Sequence, residues 1–168
     1  GVFYTRRVPA DDSGHVVRKN LSLVEGLGIA ARGVTSPLKV TPSAVPGQVR
    51  RLLNIGAGDP FAVINPGAGW PNKQWPADRF GAIAAHLLER HRVPSIVTWG
   101  PGEQAVAGAV AAASKGAAQV APETSVADLV ELARAAAVFI AGDTGPMQLA
   151  SAVGTPVVGV FGPTNPLR

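Results

Sequence analysis

Apolar residues follow two rhythms along this chain. From residue 61 onward, short apolar runs alternate with longer stretches whose apolar positions fall three and four apart. The runs are Phe61-Ala62-Val63-Ile64, Ser95-Ile96-Val97-Thr98, Gln119-Val120-Ala121, Val138-Phe139-Ile140-Ala141 and Val157-Val158-Gly159-Val160-Phe161. Each is short and bounded by turn-forming residues, so each predicts a strand. Between them, Phe80, Ile83, Ala84, Leu87 and Leu88 share one helical face behind Pro76, which suits a first turn. An Ala-rich stretch after Gly100-Pro101-Gly102 predicts a second helix. Ser125 with Asp128 three residues on resembles a capping box for a helix through Ala136. Gly142-Asp143-Thr144-Gly145 turns into a helix that ends at Gly154.

Strands that alternate with helices build βαβ units, and these predict an α/β fold with a parallel sheet. Unbroken apolar strands imply helices on both faces. Ligands of such sheets bind beyond the carboxyl ends of the strands. That rule selects the loops at 65–75, 99–103, 121–125, 142–146 and 162–166 before any chemistry is considered.

The first part of the chain is less regular. Val16, Val17, Leu21, Leu23, Val24 and Leu27 predict one short helix from about His15 to Leu27, capped by Ser13 or Gly14 and ended by Gly28. Residues 33–47 carry Gly33, Pro37, Pro42, Pro46 and Gly47 and read as a linker. A further short helix, Pro46 to Asn54, ends at Gly56. The chain begins without Met and stops in Pro163-Thr164-Asn165-Pro166-Leu167-Arg168, an open loop. A piece of a longer protein is expected.

Composition narrows the chemistry. Of 168 residues, 46% are hydrophobic and 15% charged, a balance that favours a buried core over disorder. The cysteine count is zero, which excludes disulfides, zinc–thiolate sites and a cysteine nucleophile. No apolar run reaches the roughly 18 residues of a membrane span. The first seven residues lack the apolar core of a signal peptide. The net charge of +4 favours anionic partners. Aromatics at 5% are too few for a nucleic-acid stacking platform, so no nucleic-acid partner is expected.

Three loops carry candidate chemistry. In Asn65-Pro66-Gly67-Ala68-Gly69-Trp70-Pro71-Asn72-Lys73, the glycines allow close backbone approach and Lys73 is the one cation, just before a helix N-terminus. That combination suits a phosphate; a flexible loop with a solvated lysine is the plainer alternative. In Gly142-Asp143-Thr144-Gly145-Pro146, backbone N–H groups and the Thr144 hydroxyl can hold phosphate oxygens. Asp143 would repel a phosphate but can accept hydrogen bonds from sugar hydroxyls. Alternatively, Asp143 or Thr144 simply caps the helix. The loop Trp99-Gly100-Pro101-Gly102-Glu103-Gln104-Ala105 nearly matches the dinucleotide fingerprint, with Glu123 following the next strand. A nicotinamide-dependent oxidoreductase is therefore one reading, although Glu103 would sit close to a pyrophosphate. Glu103 facing a ribose, or favouring the helix dipole, are the others.

Other residues offer less. His15, His86 and His91 show no metal-ligand spacing, and no G-x-S-x-G elbow signals a serine nucleophile. Trp70, Trp75 and Trp99 are expected to pack around the loop bases.

Taken together, Ile64-Asn65-Pro66-Gly67, Lys73-Gln74-Trp75-Pro76, Trp99-Gly100, Gly142-Asp143-Thr144-Gly145-Pro146-Met147, Gly154-Thr155-Pro156-Val157 and Phe161-Gly162-Pro163-Thr164 resemble the C-terminal half of the heptosyltransferases, the glycosyltransferase family 9 enzymes of lipopolysaccharide core assembly. The likeness covers residues 61–168 well and reaches more weakly back to Gly14. It implies a GT-B protein with two Rossmann-like domains facing a cleft. Residues 1–43 would then be the end of an N-terminal region and linker, and 44–168 the Rossmann-like nucleotide-sugar-binding domain.

The resemblance also implies roles. The donor is expected to be an ADP-sugar such as ADP-heptose, with no metal or other cofactor. Lys73, Thr144 and Gly145 would bind the donor phosphates, with Asp143 and Gln148 near the phosphate and sugar. Glu103 would hold the ribose, and the backbone around Thr124 would meet the base. The inverting mechanism places an aspartate base in the other domain, which also meets a lipid-linked glycan acceptor. A cytoplasmic location follows, with peripheral contact with the inner membrane as a further expectation. One departure stands out: the family usually reads Asp-Thr-Gly-x-x-His, and this chain has Gln148 at the histidine position. Gln can hydrogen-bond but carries no charge. A non-catalytic nucleotide-sugar-binding module is the remaining alternative.

Overall fold

The five apolar runs become five parallel strands. In the computed structural model, which describes residues 7–9, 16–31 and 38–162, these are β1 (Ala62–Asn65), β2 (Ser95–Val97), β3 (Ala118–Val120), β4 (Val138–Gly142) and β5 (Val157–Val160). They form one sheet in the order β3-β2-β1-β4-β5. Ile64 of β1 lies opposite Val97 of β2 and Ile140 of β4, and Asn65 lies opposite Ala141. The chain is α/β with a Rossmann-like sheet, as its strand–helix alternation predicts.

Residue parity in the strands sorts the core into two layers, because successive side chains point to opposite faces. On one face, Val63, Ile96, Phe139 and Ala141 pack with Val45 and Val49 of helix α2 (Val45–Leu52). Leu132 of α5 (Val126–Ala135) and Met147 and Ala150 of α6 (Gly145–Ala152) complete that layer. On the other face, Ile64, Val97 and Ile140 pack with Phe80 and Ala84 of α3 (Ala77–His91) and Ala107 and Val110 of α4 (Gln104–Ala113). Phe61, Phe80 and Phe139 are almost fully buried, each worth about 1.5–3 kcal/mol of apolar transfer. Edge strands are less covered: Gln119 in β3 and Val158 in β5 are exposed.

Two local features fix how helices meet the sheet. The start of α5 is a complete capping box. The Ser125 hydroxyl accepts from the Asp128 N–H, and the Asp128 carboxylate accepts from the Ser125 N–H at 3.0 Å. Between α3 and α4, Gly81 permits a close approach: a Cβ there would stand 2.6 Å from the Ala113 Cβ and 2.8 Å from its carbonyl carbon.

The residues cluster into two units, Pro37–Thr164 and Gly1–Ser36 with Asn165–Arg168. In the smaller one, helix α1 (Val16–Gly26) has no buried residue. The expected caps Ser13 and Gly14 lie outside the described residues, as do Pro163–Arg168. Helix α2 starts at Val45, so the Pro-rich stretch read as linker to residue 47 already contains a helix N-terminus with Pro46 in its first turn. Among the described residues, no helix is long and apolar enough to cross a membrane.

Candidate functional site

The sheet order places a switch point between β1 and β4. From β1 the chain goes on through α3 to β2 on one side, and from β4 through α6 to β5 on the other. The loops leaving the two central strands therefore part and leave a crevice at their carboxyl ends, where ligands of such sheets bind. The β1–α3 loop is long, and its short 3₁₀ turn (Pro71–Lys73) folds back over the end of β4. The Lys73 carbonyl comes 3.5 Å from where a Cβ on Gly142 would sit. Lys73 Nζ then pairs with Asp143 Oδ2 at 2.9 Å, with the two side chains 26% and 24% exposed. The pair bridges the crevice.

Immediately beside it, α6 begins without a side-chain cap. Thr144 holds the cap position in extended geometry, but its hydroxyl turns back to the Gly142 carbonyl at 3.3 Å. The amide of Gln148 donates to the Thr144 carbonyl, and Pro146 has no N–H. Gly145 and Met147 are thus the N–H groups of the first turn that have no partner in the preceding turn. The other helices on this edge carry their own carboxylates: Asp78 in the first turn of α3, Glu103 at the cap of α4, and Asp128 in the box of α5. No acidic residue lies in the first turn of α6, and the adjacent Asp143 is engaged by Lys73.

A cleft of about 200 Å³ leads away from α6 toward β2 and β3. Its walls include Trp99, Glu103, Thr124, Ser125, Leu129 and Pro146, with Asn65 and Thr98 also lining it. The Trp99 indole N–H donates to the Ala121 carbonyl at 2.9 Å, which fixes the ring at the end of β3. Asn65 Nδ2 donates to the Thr98 hydroxyl at 3.2 Å, and both residues are buried. Glu103 Oε2 accepts the Gly100 N–H at 2.9 Å.

The Asp128 carboxyl titrates below the ordinary aspartate range. Hydrogen bonds from the Ser125 side chain, the Ser43 side chain and the Ser125 backbone favour its charged form, against a smaller opposing effect of desolvation. Ser43 precedes α2, so this carboxylate ties that segment to the lip of the cleft at 2.7 Å.

The structure groups the sequence-identified residues in two places. Lys73, Asp143, Thr144 and Gly145 meet at the crevice, whereas Glu103 and Thr124 line the cleft that continues from it. Gln148 lies within the first turns of α6 and is exposed. Sequence reasoning gave no role to Thr98, Leu129 or the side chain of Asn65. The available signal was a polar residue at the end of an apolar strand, as both Asn65 and Thr98 are. Trp70 departs from its expected packing: it is 69% exposed at the start of the 3₁₀ turn, because a loop so rich in glycine offers its indole no wall. Trp75 does pack, edge-on to Phe80 at 5.0 Å, and Trp99 packs as described. His86 and His91 meet edge-on on α3, with ring centroids 6.0 Å apart, and His15 lies outside the described residues. Among the described residues, no cluster of His, Cys, Asp or Glu could hold a metal ion.

The model of glycosyltransferase family 9 (heptosyltransferase) matches residues 1–168, the whole chain. The chain belongs to glycosyltransferase family 9. It is 31% identical over 168 residues to lipopolysaccharide heptosyltransferase 1 of Pseudomonas aeruginosa, covering 98% of this chain and 44% of that protein. A family 9 glycosyl transferase structure from Veillonella parvula superposes with a TM-score of 0.82 at 22% identity, over 99% of this chain and 49% of that one. The E. coli heptosyltransferase WaaC with ADP-2-deoxy-2-fluoro heptose gives 0.69 at 24%, over 99% and 51%. The chain therefore spans about half the length of these relatives. Within this family 9 chain, the Lys73–Asp143 pair and the uncapped α6 fall on the motif loops that carried the resemblance.

Proposed function

We propose that this chain is the donor-binding half of an inverting glycosyltransferase that moves a heptose-type sugar from ADP-heptose to a lipopolysaccharide core acceptor. The observation that carries the reading is the meeting of Lys73 with the uncapped N-terminus of α6 at the switch point. One cation and a set of first-turn N–H groups converge there, a geometry that suits a diphosphate. The relative with ADP-2-deoxy-2-fluoro heptose supports an adenosine diphospho-sugar as donor.

In this reading the diphosphate lies against Lys73, Thr144 and the Gly145 N–H. The ribose turns toward Glu103, and the base meets the backbone around Thr124 between Trp99 and Leu129. Asp143 and Gln148 stand near the phosphate and the sugar. As the glycosidic bond breaks, charge builds on the leaving phosphate. Lys73 and the preorganised N–H groups stabilise that charge more in the transition state than before it, without a metal ion. The base that activates the acceptor hydroxyl belongs to the other domain, as does most of the acceptor contact. Residues 1–43 form the end of that region and the linker, and 44–168 the donor domain. The enzyme works in the cytoplasm, at the periphery of the inner membrane where a lipid-linked acceptor is found.

The nicotinamide reading is disfavoured by one contact. The Gly100 N–H, which a pyrophosphate on that loop would need, is taken by the Glu103 carboxylate. Calorimetric titration with ADP, UDP and NAD tests the proposal. ADP should bind and be preferred; a clear NAD preference would refute it. In the full-length enzyme, Lys73→Ala should lower heptose transfer; unchanged transfer would remove Lys73 from the donor site.

A further inference from the structure

We propose that Asp143 is a built-in counter-anion, which holds at Lys73 the place that a phosphate of the ligand takes, so that the ligand binds by exchanging one anion for another. The inference rests on the phosphate site described above.

Its basis is the geometry of the pair. Lys73 Nζ and Asp143 Oδ2 are 2.9 Å apart and each side chain is about three-quarters covered, so the contact is a charge-assisted hydrogen bond with limited screening. Both partners are carried on ordered backbone. The Lys73 N–H donates to the Trp70 carbonyl at 3.0 Å and closes the 3₁₀ turn. Asp143 follows directly on β4 and precedes the Thr144 cap of α6. The ammonium is therefore held over the crevice by the protein's own groups, and it need not be recruited from solvent.

The same arrangement opposes tight binding. A phosphate at the Gly145 N–H arrives beside a carboxylate, and it must draw Lys73 away from that carboxylate to gain its charge. Like charges at such range repel. Asp143 thus offsets the charge of Lys73, orients it, and lowers the grip on a polyanion. For a transferase whose product is a nucleoside diphosphate, a weaker grip speeds release once the sugar has gone. Asp143 acts through Lys73 and is a positioning residue.

The test is a double-mutant cycle on the chain with two probes, ADP and inorganic pyrophosphate, titrated by calorimetry against wild type, Asp143→Asn, Lys73→Ala and the double variant. Asn keeps the shape of Asp and removes its charge. Exchange predicts that Asp143→Asn binds pyrophosphate about three- to tenfold more tightly, a range set by the worth of a partly covered ion pair. The gain should be clearly smaller in the Lys73→Ala background, where only the direct repulsion is relieved. Unchanged or weaker pyrophosphate binding by Asp143→Asn overturns the proposal. So does a gain that is equally large without Lys73, which would be plain repulsion. If ADP binds to none of the proteins while pyrophosphate shows the Lys73-dependent gain, the nucleotide reading fails and the exchange stands. If neither probe binds wild type or Asp143→Asn, both fail.

Discussion

Gly67 lies directly beneath the carboxylate of Glu103, so close that a Cβ at residue 67 would collide with it. The contact joins the β1 loop to the cap of α4, and Glu103 also holds the Gly100 N–H. Gly67→Ala should push this flexible carboxylate aside at a cost of no more than about 1 kcal/mol in stability. If Glu103 holds the ribose, ADP affinity falls in the variant and pyrophosphate affinity does not. Parallel titrations of the two ligands check this, and equal losses for both would show that Glu103 makes no nucleoside contact.

Lys73→Ala removes the cation of the crevice and leaves Asp143 without its ammonium. ADP binding should weaken by about 1.5–3 kcal/mol, as for a charge-assisted hydrogen bond. Wild-type binding should also fall with added salt more steeply than that of the variant. Calorimetry at two ionic strengths measures both effects.

The α3–α4 contact makes a purely structural prediction. At Gly81, an added methyl would meet Ala113 at 2.6 Å and the Val110 carbonyl at 3.0 Å, and much of that obstacle is backbone. Gly81→Ala should therefore destabilise by about 1–3 kcal/mol through overpacking. Denaturant unfolding reads the loss. Pyrophosphate affinity of the folded protein should stay the same, because this contact is not among the residues at the crevice.

Much of this fold was legible from the chain, for a definite reason. Apolar runs such as Val138-Phe139-Ile140-Ala141 are covered on both faces, so local sequence alone marks them. The Ser125–Asp128 box was legible because its partners are three residues apart. Strand order was not, since alternation predicts parallel pairing but leaves open which strand lies beside which. The Lys73–Asp143 pair, 70 residues apart in sequence, depends on β1 and β4 being neighbours. The Ser43 bond to Asp128 spans 85 residues and was hidden in the same way. At Trp70 the expectation of packing failed because residue type suggests burial, whereas exposure is set by what the loop faces.

The capping network at α5 should make stability depend on pH. The folded-state pKa of Asp128 is depressed by its bonds from Ser125 and Ser43. Its contribution is therefore present above the ordinary aspartate value of about 3.9 and is lost as pH falls through the lower folded value. The gap in unfolding midpoint between wild type and Asp128→Asn should be widest near neutrality and should close in acid. Ser43→Ala should narrow that gap at neutral pH. A gap that widened on acidification would show that the carboxylate is not held in its charged form.

In the proposed donor mode, a nucleoside diphosphate spans from the N-terminus of α6 to the Trp99–Thr124 cleft. Amide and indole chemical-shift mapping of the isotope-labelled chain during ADP titration reads this placement. The largest shifts are expected at the Gly145 and Met147 amides, at Thr124 and at the Trp99 indole, with pyrophosphate reproducing only those at Gly145 and Met147. Shifts centred on the Gly100–Gly102 amides, with Gly145 and Met147 unmoved, would contradict it.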